Sequence, residues 1–420
     1  MSQPLATTNG VGRSARFEYA PHSLVRVANR VARPLSRLVS LRPEELLERA
    51  ARRTGLEDFG EASFREPLDV LLRAYEREAC LTFAGRLAAR MNILRLLEQR
   101  LGFEDCRKCH PEIAAQSIER PLFIISLSRA GTTLLHRLLA QDPGNRTPRS
   151  WELMLPIPPP ERSTYETDAR IDQAERELQL FERFLAPNIR AVHELGARLP
   201  EECLMIMAFS FRSFQFPSMH YVPSYQRWME DNDLGPAYAY HRRVLQHLQW
   251  RHQAERWVLK APAHIFGIAP IIATYPDAGI IHLHRDPLEV AASLTSLTVA
   301  IYAAFSEGID PRRVGRDLVE SLHSGLARYA RERDADGGRQ RRFFDVRYGD
   351  LTRDPMAIVR RIYEFFAIPL TEEAEARMQR YLAENPKAKY GEHRYSLEQF
   401  GIDRAAEARR FQPYCDRFGV

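Results

Sequence analysis

The run Pro121-Leu122-Phe123-Ile124-Ile125-Ser126-Leu127-Ser128 constrains the fold more than any other segment of the chain. It is too short for a typical helix and is bounded by Arg120 and Arg129. Its unbroken apolarity predicts a strand buried on both faces, as in a parallel sheet. Behind it the spacing becomes helical from Thr132 to Gln141, and Asp142-Pro143-Gly144 ends that helix. A strand feeding a helix through a small-residue turn is half of a βαβ unit, which requires further parallel strands beside it. The later sequence supplies them: 257–260, 279–284 and 341–348 read as strands, and His264 to Tyr275, Pro287 to Leu297 and Pro355 to Phe366 as helices. The chain is therefore of the α/β class with a central parallel sheet.

The rest of the chain is organised around this unit. Residues 1–20 are polar and read as a flexible N-terminus. Pro43 to Arg53 and Pro67 to Leu101 carry apolar residues at helical spacing, so 21–115 is predicted to be a helical region and 116–420 the α/β domain. The proline-rich Pro156 to Arg162 reads as an extended connector into a helix from Tyr165 to Phe184. Between Cys203 and Trp228 lie Phe209, Phe211, Phe214, Phe216, Tyr221 and Tyr225 among methionines. Such a cluster suits a core, and its prolines and polar breaks also suit a mobile cover.

Charge and cysteine usage narrow the class. Sixty basic residues against 55 acidic ones leave a net charge of +5, which suits a local anionic ligand and not a nucleic-acid surface. No apolar run approaches the ~18 residues needed to span a bilayer, and the N-terminus lacks the apolar stretch of a signal peptide. A cytoplasmic protein without a membrane span is predicted. Five cysteines form no disulfide framework in a chain of 420 residues. Cys106, Cys109 and His110 spell C-x-x-C-H, but haem attachment requires export and a zinc site requires a fourth ligand. They read as reduced thiols in a loop before the first strand, with no metal bound.

The turn Ser126-Leu127-Ser128-Arg129-Ala130-Gly131-Thr132-Thr133 has the composition of an anion site. Free backbone N–H groups and the positive end of the helix dipole converge at such a junction. Gly131 permits close backbone approach, Thr132 and Thr133 add hydroxyls, and Arg129 adds a cation. A nucleotide triphosphatase loop would need G-x-x-x-x-G-K-[ST], and both its first glycine and its lysine are missing.

From Pro121 to Pro143 the sequence resembles the 5′-phosphosulfate-binding segment of bacterial sulfotransferases, close to PLFI-x-G-x-P-R-[ST]-G-T-T-L-L-H-x-L-L-A-x-D-P, with Ser126, Ser128 and Ala130 as departures. A second segment, Ile281 to Ser293, is similar to the family's 3′-phosphate motif. Smaller likenesses extend to Asp403. The resemblance implies a P-loop nucleotide-kinase-like three-layer fold and 3′-phosphoadenosine 5′-phosphosulfate (PAPS) as cosubstrate. It implies sulfuryl transfer to a hydroxyl or amine of a small-molecule, lipid or saccharide acceptor. It carries nucleotide contacts onto Arg129, Ala130, Gly131, Thr132, Thr133, Arg285, Ser293 and Tyr348, with Lys389 and Arg394 closing over the nucleotide. Lys260 matches a lysine that assists catalysis in tyrosylprotein sulfotransferases.

In-line sulfuryl transfer needs positioning and charge stabilisation on the leaving oxygen, which Arg129, Lys260 and loop amides can supply without metal. The base that takes the acceptor proton is left among three residues. Glu152 follows Arg129 by 23 residues, much as in the tyrosylprotein enzymes; His264 and Glu202 are the others. Two rival functions remain at this point, a non-catalytic protein that binds PAPS or its desulfated product, and a nucleotide-dependent kinase.

Overall fold

The structure is a computed structural model that describes residues 21–187, 194–337, 342–385 and 396–420. The N-terminus expected to be flexible, Lys389 and Arg394 lie outside the described residues. Five strands, β1 (Leu122–Ser126), β2 (Asn145–Arg146), β3 (Arg256–Lys260), β4 (Gly279–His284) and β5 (Phe343–Arg347), form one sheet in the order β2-β3-β1-β4-β5. Every pairing is parallel. All residues of β1 and β4 are buried, the pattern of strands covered on both faces. In β5 the buried Phe344 and Val346 alternate with the exposed Asp345 and Arg347, as suits an edge.

Strand alternation then sorts the core into two layers. Leu122 and Ile124 belong to one apolar cluster, and Phe123 and Ile125 belong to the other. α1 (Ser23–Ala32) comes first in the chain, and the larger layer begins with α2 (Pro43–Thr54), α3 (Arg65–Arg77) and α4 (Phe83–Cys109). α2 has proline in its first turn and stops at Gly55, whose φ of 71° is the left-handed cap that glycine accepts without strain. After β1 comes α5 (Thr132–Leu139), packed on the opposite face. The long crossover from β2 to β3 holds α6 (Ser150–Met154), α7 (Ala169–Phe184), α8 (Cys203–Ala208), α9 (Gln215–Met219), α10 (Pro223–Asp231) and α11 (Gly235–Gln249). Next come α12 (Ile268–Thr274), α13 (Pro287–Phe305) and α14 (Pro311–Ala335), followed after β5 by α15 (Tyr348–Arg353), α16 (Pro355–Phe365), α17 (Glu372–Glu384) and α18 (Arg404–Phe418).

Among the contacts between the N-terminal helices and the α/β unit, one selects a glycine. Thr82 caps α4 by accepting from the Gly85 amide at 3.0 Å, and the Thr82 amide donates to the Phe305 carbonyl at 2.9 Å. A Cβ on Gly85 would lie 1.9 Å from that carbonyl oxygen, so only glycine fits where α4 meets the end of α13.

Several expectations are corrected. The helix read over Pro67 to Leu101 is two helices, parted at Cys80, whose φ is 46°. Because α4 runs on to Cys109, Cys106 and Cys109 occupy its last turns and not a loop, and the His110 ring lies 4.5 Å from that of Trp250. The helix read from Tyr165 begins at Ala169, where Asp168 caps it. His264 to Tyr275 is a 3₁₀ turn, Pro262–Phe266, followed by α12. α13 extends past Leu297 to Phe305, and its 19 residues are long and apolar enough to span a bilayer, contrary to the sequence expectation. More than half of it is buried in protein, against α4, α9, α14 and α18. The stretch around Phe209 to Tyr225 is core and not a mobile cover: Phe209, Phe211, Phe216 and Tyr225 are buried, and the Tyr225 hydroxyl donates to the Phe211 carbonyl at 2.6 Å.

Candidate active site

Parallel strands whose ends are level deliver their following loops to one edge of the sheet. Ser126 is in register with Leu283 on β4, and Ile124 with Lys260 on β3. The loop leaving β1 turns through two left-handed residues, Arg129 at φ 68° and Gly131 at φ 87°. Gly131 is the N-cap of α5 and offers no side chain to the helix amides, which stay available to an anion. A Cβ at Gly131 would lie 3.2 Å from the Tyr348 ring, so positive φ and close packing both select glycine.

The exit of β4 meets this loop. Asp286 caps α13 by accepting from the Leu288 amide at 2.8 Å, with Pro287 in the first turn. Arg285 Nη1 donates to the Arg129 carbonyl at 2.6 Å and its guanidinium lies 4.4 Å from the Tyr348 ring centroid. Arg129 Nε donates to Ser293 Oγ at 3.2 Å. Arg129, Gly131, Arg285, Ser293 and Tyr348, separated by up to 219 positions in the chain, thus form one cluster at the ends of β1, β4 and β5. Ala130 is buried beneath the loop, Thr132 is buried in the first turn of α5 and Thr133 is exposed.

Behind Arg285, His284 is held on both sides: Nδ1 pairs with the Tyr414 hydroxyl at 2.7 Å and Nε2 with Asp345 at 2.8 Å. Arg333 donates to both Asp345 oxygens at 2.7 Å. Asp345 is consequently held far below the usual carboxylate range by Arg333 and His284, against the upward push of burial. His282, His284 and Asp345 are near enough to ligate a metal, but the second side of this group is already taken by Arg333 and Tyr414.

Lys260 ends β3. Its ammonium group is 2.5 Å from Glu202 Oε1, with the lysine side chain 3% exposed and the glutamate 20%. Glu202 is the N-cap residue of α8. The other two acid-base candidates lie elsewhere. Glu152 is fully buried at the start of α6, where one oxygen pairs with Arg146 Nη2 and the other accepts from the Arg149 amide at 2.9 Å and the Tyr165 hydroxyl at 2.7 Å. That set of partners builds a helix cap and a buried ion pair, and does not bring the carboxylate into the Arg129 cluster. His264 is fully buried with Nδ1 2.6 Å from the Tyr238 hydroxyl, among Phe123 and His241, and burial pushes its pKa well below the usual histidine value.

Beside the loop lies a cavity of about 110 Å³. Ser126, Leu127 and Ser128 form one wall, and Phe214, Pro217, Phe266, Leu294 and Leu322 make the remainder largely apolar. Pro262, Ala263 and Ile265 also line it, while His264 between them turns into the core. Sequence reading missed the wall from α14, Leu318, Ser321, Leu322 and Gly325, and the contribution of Gln226. None belongs to a local motif. Only the fact that α13 and α14 flank the β4 exit could have pointed to them.

The sulfotransferase family model matches residues 121–372, the span that carries β1 through the start of α17. The chain belongs to the sulfotransferase family. It is a PAPS-dependent sulfotransferase, so neither the purely binding protein nor the kinase is needed. Among solved structures it is similar to sulfotransferase STF9 of Mycobacterium avium, with TM-score 0.81 and 30% identity, covering 91% of this chain and 97% of that one. STF1 of Mycobacterium tuberculosis H37Rv gives TM-score 0.78 and 32% identity, covering 89% and 98%. A curated relative, the omega-hydroxy-beta-dihydromenaquinone-9 sulfotransferase Stf3 of Mycobacterium bovis, is 27% identical over 320 residues, 71% of this chain and 75% of the relative. This sulfotransferase therefore shares its fold with the mycobacterial enzymes across nearly its whole length.

Proposed function

We propose that the enzyme transfers the sulfuryl group of PAPS to a hydroxyl carried by an apolar, lipid-type acceptor. The observation that carries this reading is the apolar cavity opening on Ser126, Leu127 and Ser128, beside the loop that would hold the phosphosulfate. The mycobacterial relative named for a menaquinone with a terminal hydroxyl supports the same acceptor class. Arg285 and Ser293 would bind the terminal 3′-phosphate, for which a guanidinium fork and a hydroxyl are well suited. Tyr348 holds Arg285 in place through its ring face. The amides of the loop and Arg129 would receive the 5′-phosphosulfate.

In the transfer the acceptor oxygen attacks sulfur, the bond from sulfur to the 5′-phosphate oxygen breaks, and the nucleotide leaves with that oxygen's electron pair. Lys260 has three protons to donate; one meets Glu202, and another would meet the departing oxygen. Glu202 would take the acceptor proton. Of the two carboxylates among the candidates it is the one not tied into a buried cap, and it is hydrogen-bonded to Lys260 at the end of β3. The test is a paired acceptor assay with PAPS, scoring gain of one sulfuryl mass. A prenyl or quinone compound with a terminal hydroxyl should be sulfated and a free saccharide should not. Turnover confined to the saccharide overturns the acceptor reading.

A further inference from the structure

Among the described residues, the three most exposed large apolar side chains, Leu38, Val31 and Leu24, lie in the first helix and the turn after it, far from the site in sequence. Leu24 is 66% exposed, Val31 75% and Leu38 78%, and Val27 and Leu35 are exposed as well. At about 100° per residue, Leu24, Val27, Ala28 and Val31 share one face of α1. Leu35 and Leu38 continue it through the 3₁₀ turn Arg33–Leu38, where residues three apart eclipse one another. The inward face is narrow: Val25 and Ala32 are half-buried, and the buried Asn29 accepts at Oδ1 from the Ala84 amide at 2.9 Å, at the start of α4. The His22 amide donates to the Phe184 carbonyl at 3.1 Å. The helix is thus fastened to the protein with its apolar side turned out, the reverse of a core helix.

Charge says what would cover that side. Arg26, Arg30, Arg33, Arg37 and Arg42 fall between Glu18 and Glu44 with no acidic residue among them. Arg26 and Arg30 lie along the flank of the apolar face, on the side away from Leu24 and Ala28. On α4, against which α1 packs, Leu87 and Met91 one turn apart are also exposed. An apolar strip edged by arginines, of which Arg33 also lies 4.0 Å from Glu307, is complementary to an anionic lipid surface, in which the strip enters the acyl boundary and the arginines meet phosphates. Ten residues are too few to span a bilayer.

We propose that α1 and the following turn dock this enzyme peripherally on an anionic lipid bilayer. The inference rests on the surface alone and goes beyond the acceptor reading; its test uses no acceptor. The full chain is floated with phosphatidylcholine vesicles, and with vesicles in which a third of the lipid is phosphatidylglycerol. Binding should favour the anionic vesicles by at least about tenfold and weaken as salt rises. Arg26→Gln with Arg30→Gln should lower binding by about fivefold per arginine, and Val27→Asn with Val31→Asn by more than about tenfold. Both pairs are exposed, so melting temperature and nucleotide binding should be unchanged, which verifies folding. Equal binding to the two vesicle types, no binding, or full binding by both variants overturns the proposal. A concentration-dependent dimer lost in Val27→Asn with Val31→Asn reassigns the face to a second copy of the chain.

Discussion

The proposed donor side of the site is assembled from strand exits, each a short local pattern, whereas the proposed acceptor cavity adds to the β1 and β3 exits a wall of residues from α9, α10, α13 and α14 that share no local pattern. On the donor side, backbone geometry does the selecting. Gly131 must be glycine because φ is positive and Tyr348 lies against it, and Arg285 is aimed by the Arg129 carbonyl. On the acceptor side, only shape and apolarity select, so many sequences can line the same cavity. The difference teaches that a nucleotide-dependent transferase can keep its donor residues readable while its acceptor is hidden in packing.

The sharpest way to break the comparison is to remove the group proposed to join the two sides. Glu202→Gln should lower single-turnover rate by roughly a hundredfold to ten-thousandfold with nucleotide binding retained, and Lys260→Ala by on the order of a hundredfold. A normal rate in Glu202→Gln would return the proton transfer to another group. Glu152→Gln should behave in the opposite manner. Leaving Arg146 buried without its carboxylate should cost on the order of 3 kcal/mol of stability, read as a lower urea midpoint, with the rate of the folded fraction nearly unchanged.

Acid should act chiefly through buried histidines. Burial pushes the pKa of His136, His220 and His241 down to about 3, and that of His247 to about 4. Between about pH 6.5 and those values the unfolded chain binds protons that the native chain does not, so stability is full above about 6.5 and falls as pH drops. Each histidine contributes at most about 1.4 kcal/mol per pH unit. Urea midpoints measured from pH 7 to pH 5 should decline steadily; a flat profile contradicts the burial of these rings.

The remaining two tests separate donor from acceptor. Adenosine 3′,5′-bisphosphate at a hundred times its dissociation constant should stabilise the fold by roughly 2.7 kcal/mol, and Arg285→Ala should bring its effect close to that of AMP. The smallest effect is expected from Gly325→Ala, whose Cβ would lie 2.8 Å from the Phe266 ring and press it toward the cavity. The acceptor KM should rise severalfold with nucleotide affinity unchanged. A change in nucleotide affinity would mean that the two sides are not independent.

Much of the donor side was legible because a strand, a turn and a helix are contiguous in the chain. Ser126 to Thr133 and Arg285 to Ser293 state their own geometry, and the parallel sheet follows from them. Glu152 was misread because its distance from Arg129 along the chain says nothing of Arg146 and Tyr165, the partners that bury it. His264 lies among four cavity residues, Pro262, Ala263, Ile265 and Phe266, yet Tyr238, 26 positions earlier, holds its ring in the core. The length of α13 escaped notice because threonines and serines broke its apolar pattern without breaking the helix. The outward face of α1 was invisible for a related reason, since periodicity shows that a helix has an apolar side but not where that side points.

If the apolar cavity takes the acceptor as proposed, α13 would act as a depth gauge. Ser293 faces the donor cluster, while Leu294 and Thr298 line the cavity. From Ser293 to Thr298 the helix axis rises about 7.5 Å, and Gly85 clamps the far end of the same rod through the Phe305 carbonyl. Under the proposed acceptor reading, a hydroxyl that came to rest above or below that short interval would meet no sulfur, however tightly the remainder of its molecule were held. Selection among acceptors would then follow the distance between anchoring body and reactive tip, and a homologous chain compound one isoprene unit shorter or longer should report that measure directly.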